Sequence, residues 1–72
     1  MRAGEETTFG ANLRAARLEA GLSQQRLSAV CRLHRTEISL LERGAREPRL
    51  GTVVRLARAL GVPPAHLLEG IE

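Results

Sequence analysis

The side chains able to do chemistry in this sequence are overwhelmingly guanidinium groups. There are eleven arginines and no lysine, against eight glutamates and no aspartate. Residues 10–60 hold ten of the arginines and four of the glutamates, net +6, while both ends are acidic. A cationic middle of this kind is the footprint of a polyanion-binding surface. Arginine suits such a surface because its planar fork makes two hydrogen bonds at once to phosphate oxygens or to guanine O6 and N7. Arg43, Arg46 and Arg49 recur at every third position, a spacing fit to clamp the backbone of one strand. A lineage that encodes arginine in place of lysine produces the same composition on an ordinary solvated surface. Charge alone therefore does not decide.

Catalytic chemistry is poorly supplied. Ser23, Ser28, Ser39, Cys31, His34 and His66 are the candidate nucleophiles and bases. Cys31 falls on the apolar side of its helix, where thiols are generally inert. Cys31 and His34 stand at a ligand-like spacing, but one cysteine and two histidines close no tetrahedral zinc site. The lone cysteine also excludes an internal disulfide. A chain of 72 residues leaves no room for a sizeable pocket, so neither an enzyme nor a bound cofactor or metal is expected.

The elements that must hold these groups are all helices. Apolar–polar alternation never persists, and glycines fall where helices would stop. Residues 1–8 read as a flexible arm, and residues 9–70 as one domain. Thr8 caps a first helix with Phe9, Leu13, Ala16 and Ala20 at helical spacing, ended by Gly21. Ser23 caps a short second helix carrying Leu27, Val30 and Cys31. A third runs from about residue 35 to 43, with Ile38 and Leu41 on one face and Gly44 as its stop. A polar, proline-containing loop follows. Leu50, Val53, Val54, Leu56, Ala57 and Leu60 mark a fourth helix closed by Gly61. Pro63 and Pro64 open a fifth, carrying Leu67 and Leu68 and ending at Gly70. Five short helices around one small aliphatic core must cross steeply, which makes the fold an all-α compact bundle.

Leu27, Cys31, Leu33, Ile38 and Leu41 can be buried together only if the second and third helices fold against each other across their short turn. Ser28 is the small residue where the two approach. The outer face of the third helix is then free to enter a DNA major groove, whose width admits one α-helix.

The stretch LSQQRLSAVCRLHRTEISLLERG resembles the helix-turn-helix of the phage-repressor Cro family, also called the xenobiotic-response-element family. The GLSQ entry, the ERG exit, the proline loop, LARALGV and a final leucine-bearing turn extend the resemblance over roughly residues 9–69. It implies a lambda-repressor-like fold and a sequence-specific, double-stranded-DNA-binding transcriptional regulator. It places Arg35, Thr36, Ser39 and Leu40 at the base edges, Arg35 gripping guanine and Leu40 fitting a thymine methyl. Gln24, Arg43, Arg46 and Arg49 become phosphate contacts. Arg17 and Glu42 become a structural ion pair, which keeps Arg17 out of the DNA contacts.

The chain departs from the family at three positions. Arg32 stands where the turn usually has glycine, at a cost of about 1 kcal/mol if the backbone takes positive φ. His34 replaces the serine or threonine cap of the third helix, giving a poorer cap and a possible DNA contact. Arg26 replaces the glutamate that would complete a capping box with Ser23.

A domain this small buries little DNA, so two copies are expected on a pseudo-palindromic site. Val62, Leu67, Leu68 and Ile71 of the fifth helix are the expected homodimer interface. The alternative is a protein-interaction or antitoxin-type module whose main partner is another protein, and the charge around the third helix favours DNA over it. No apolar run is long enough to span a membrane and MRAGEETT is no secretion signal, so a cytoplasmic, nucleoid-associated protein without a small-molecule effector is expected.

Overall fold

A computed structural model describes residues 1–72, and every regular element in it is a helix: α1 (Glu5–Glu19), α2 (Gln24–Cys31), α3 (Arg35–Glu42), α4 (Leu50–Leu60) and α5 (Pro64–Leu67). None is long and apolar enough to cross a membrane. Helix α1 packs on α3 and α5, α2 on α3 and α4, and α4 on α5. The result measures 29 × 23 × 20 Å. Phe9 and Leu13 of α1, Leu27 of α2, Ile38 and Leu41 of α3, Leu56 of α4 and Leu67 of α5 are all fully buried. Each helix thus gives one or two large apolar side chains to a single centre. Cys31 joins them as a buried free thiol.

Helix α1 begins earlier than the sequence predicts. Glu5 to Thr8, expected in the arm, are helical, and Thr8 lies inside the helix, not at its cap. Gly4 is the N-cap, in the left-handed region at φ 89°. Two features favour the added turn. Glu5 and Glu6 place negative charge at the positive end of the helix dipole, and the Arg2 amide donates to Glu5 Oε1 at 2.7 Å. The Met1 ammonium also reaches Glu47 Oε1 at 2.7 Å. Helix α5 is shorter than expected, ending at Leu67 and not at Gly70; Pro63 is its cap and Pro64 its first residue.

The close approach of α1 to α3 depends on Gly10. A Cβ there would stand 2.4 Å from the Leu41 carbonyl oxygen and 2.6 Å from that of Glu42. The last turn of α3 therefore lies directly on the α1 backbone. That turn closes in a Schellman arrangement, with Gly44 N–H donating to Leu41 O and Ala45 N–H to Leu40 O. Gly44 supplies the positive φ and sits against Thr7.

Candidate nucleic-acid interface

Helix α3 owes its start to an unusual cap. His34 takes an extended conformation, and its Nδ1 accepts the Thr36 amide at 3.1 Å. The imidazole therefore does what a serine or threonine hydroxyl does elsewhere, with its free nitrogen lone pair. In this geometry His34 serves the helix. Behind it, Arg32 adopts φ 59°, the only non-glycine residue at positive φ. The turn accordingly takes the backbone that glycine would supply without strain. Ser28 Oγ fastens the same turn by donating to Leu33 O at 2.6 Å.

With Ile38 and Leu41 in the core, α3 turns its other side outward. Arg35 and Thr36 are exposed, and so is Arg43 just beyond the helix; Ser39 and Leu40 are half-buried. The four residues placed at base edges therefore do share one accessible flank. Arg35 and Thr36 stand clear of the surface, whereas Ser39 and Leu40 lie lower.

A buried knot of charge fixes the orientation of that flank. Arg17 Nε donates to Glu42 Oε2 at 2.6 Å and Arg17 Nη2 to Glu42 Oε1 at 3.0 Å. Arg17 Nη1 donates to Leu22 O at 2.9 Å. The side chains are 9% and 3% exposed. Those hydrogen bonds to Glu42 raise the Arg17 pKa above its already high ordinary value, outweighing desolvation. Gln24 enters the same knot, its Nε2 donating to Glu42 Oε1 at 3.1 Å. Gln24 thus has a second partner that the sequence did not indicate: one amide hydrogen is committed to Glu42, leaving one for a ligand. Helices α1, α2 and α3 all meet at this carboxylate. Removing either ionic partner would leave the other buried and uncompensated.

The three loop arginines differ in their commitments. Arg43 Nε makes only a long contact to Ser39 O, at 3.4 Å. Arg49 is exposed and caps α4 through its backbone position, with no side-chain bond. Arg46 is the exception, donating through Nη1 to Glu37 Oε1. It is therefore not a free cation as expected, but one side of an ion pair. Beside it an open cleft of about 760 Å³ separates α3 from the start of α4, lined by Leu33, Glu37, Arg46, Glu47, Arg49 and Arg55 among others. The expectation of no sizeable pocket fails here, although the lining is almost wholly polar and charged.

A family model described as helix-turn-helix matches residues 13–67, more than two thirds of the chain. Control protein C.BamHI of Bacillus amyloliquefaciens is 44% identical over 62 residues, which is 85% of this chain and 76% of that protein. The chain belongs to the Cro-type helix-turn-helix family. Among solved structures, the restriction-modification controller protein C.AhdI from Aeromonas hydrophila superposes with a TM-score of 0.84 at 37% identity, covering 86% of this chain and 94% of that one. The clp gene regulator ClgR from C. glutamicum gives 0.86 at 28% identity, covering 93% and 87%. As a helix-turn-helix protein the chain is a DNA-binding transcription regulator, a class whose members are not enzymes.

For this helix-turn-helix domain one predicted contact must be withdrawn. Leu67 is fully buried in the core of its own chain, so it offers no surface to a second copy. Val62, Leu68 and Ile71 are half-buried, packed against the core with part of their surface outward. Asn12 explains part of the difference. Its Nδ2 donates to Leu67 O at 3.0 Å and to Glu69 O at 2.8 Å, drawing the end of α5 onto α1. Sequence reasoning passed over Asn12, yet a polar residue three positions after Phe9, on the apolar side of α1, is the kind of signal that marks a buried tether.

Proposed function

We propose that this regulator reads a pseudo-palindromic operator as a twofold homodimer, with α3 of each copy in the major groove. Arg35 grips a guanine, Thr36 and Ser39 bond neighbouring base edges, and Leu40 meets a thymine methyl. Gln24, Arg43 and Arg49 hold phosphates and set the register without reading sequence. The observation that carries this reading is the exposure of Arg35 and Thr36 on a helix whose Ile38 and Leu41 are fully buried. The half-buried Val62, Leu68 and Ile71 support an interface that places the two recognition helices about 34 Å apart. Likeness to control proteins supports a restriction-modification controller as the specific form of the role.

Selection of bound sequences from a random duplex pool tests the proposal. The wild type should enrich a site with dyad symmetry. Arg35→Ala should flatten the preference at one position of each half-site, by about 1–3 kcal/mol. Unchanged preference in that variant would remove Arg35 from base reading. Binding that does not weaken between low and moderate salt would point to a protein partner instead.

A further inference from the structure

Glu37 occupies the third position of α3, between the base-reading Thr36 and the buried Ile38. A glutamate at that position commonly turns back to the amide of the helix cap. Here its carboxylate instead accepts from Arg46, nine residues along the chain in the loop that leads to α4. The two side chains are 27% and 52% exposed. The pair therefore lies at the surface, beside the face that meets DNA, where phosphate can compete for the guanidinium. Neither neighbouring loop arginine is restrained in this way: Arg43 touches only a backbone carbonyl and Arg49 has no side-chain partner. One of three potential phosphate clamps is thus held by an acid on the recognition helix itself.

We infer that Glu37 is a specificity-determining residue that withholds Arg46 from phosphate until α3 is fully seated on its operator. The inference rests on the DNA-reading role proposed above. On random duplex, α3 is not drawn down by base contacts, and Arg46 stays on the carboxylate it already has. The protein then neutralises fewer phosphates and binds weakly. On the operator, the base contacts of Arg35, Thr36 and Ser39 bring the backbone within reach of Arg46, and the guanidinium transfers from carboxylate to phosphate. Affinity is lost on both kinds of DNA, but more on the wrong one.

The test is the salt dependence of binding to a random duplex and to the selected operator, for the wild type, Glu37→Gln, Arg46→Ala and the double variant. Surface pairs of this exposure contribute little to stability, and thermal unfolding checks that all four proteins fold. Glu37→Gln should bind random duplex several-fold more tightly at low salt, with a log–log salt slope steeper by about one unit. Its operator-to-random ratio should fall. In the Arg46→Ala background the same change should leave slope and ratio unmoved. A Glu37→Gln slope equal to the wild type's would overturn the inference, as would an effect that persists without Arg46, which would mean bulk charge alone. Wild-type protein that binds no duplex at all would sink the DNA-reading role as well.

Discussion

Arg32 shows how one residue can carry a backbone cost for its neighbours. At φ 59° it holds a conformation that disfavours any side chain beyond glycine, and it does so in the turn that sets α3 against α2. Arg32→Gly should therefore raise stability by about 1 kcal/mol. For a domain of this size that is a melting midpoint roughly 4–8 °C higher, readable by circular dichroism; an unchanged midpoint would mean that the arginine side chain gives back what its backbone loses. At this scale the sequence was informative about residue type and weak about pairing. The outward placing of Arg35 and Thr36 follows from helix spacing, and the Arg17–Glu42 pair from family likeness alone. The hydrogen bond from Gln24 to Glu42 and the hold of Glu37 on Arg46 do not, because each joins separate elements whose distance no local spacing encodes.

Helices differ from their expected bounds where capping is unconventional. The stops at Gly21, Gly44 and Gly61 were legible because glycine at positive φ ends helices for a simple steric reason. The start of α1 was not, since Gly4 replaces a side-chain cap and the stabilisation comes from Glu5 and Glu6. Nor was the role of Gly10, which looks like an ordinary flaw in a helix until α3 is laid across it. Two glycines make a sign test of that packing. Gly51 lies in α4 with nothing near its missing Cβ, and Gly51→Ala should stabilise by about 0.5 kcal/mol through propensity. Gly10→Ala should instead destabilise by about 1–3 kcal/mol, because the methyl group meets two backbone carbonyls. Urea midpoints of the two variants should move in opposite directions. Movement in the same direction would show that α1 and α3 do not touch at Gly10.

For the whole molecule, the all-helical bundle and its single core were legible from periodicity, whereas the division of the last leucines between core and surface was not. Two adjacent leucines, one fully buried and one half-buried, look alike in sequence; Asn12 holds the Leu67 carbonyl and draws this turn onto α1. They should now separate in experiment. Leu67→Ala should cost about 2–5 kcal/mol of folding stability, as a cavity in the core does. On the proposed homodimer, Leu68→Ala should chiefly weaken self-association, seen in sedimentation as a lower-mass species than the wild type at the same concentration. A Leu68 variant that pairs as tightly as the wild type would move the interface away from α5.

The Glu42 carboxylate gathers three helices, yet Arg35 and Thr36, a turn or two away, lean on nothing inside. The outward side chains proposed to read DNA are thus not themselves members of the buried knot that orients their helix. On the proposed reading, descendants of this chain can reach new target sites by exchanging those outward side chains while the knot stays as it is. The same latitude does not extend to Glu42, where drift would be arrested at the first step.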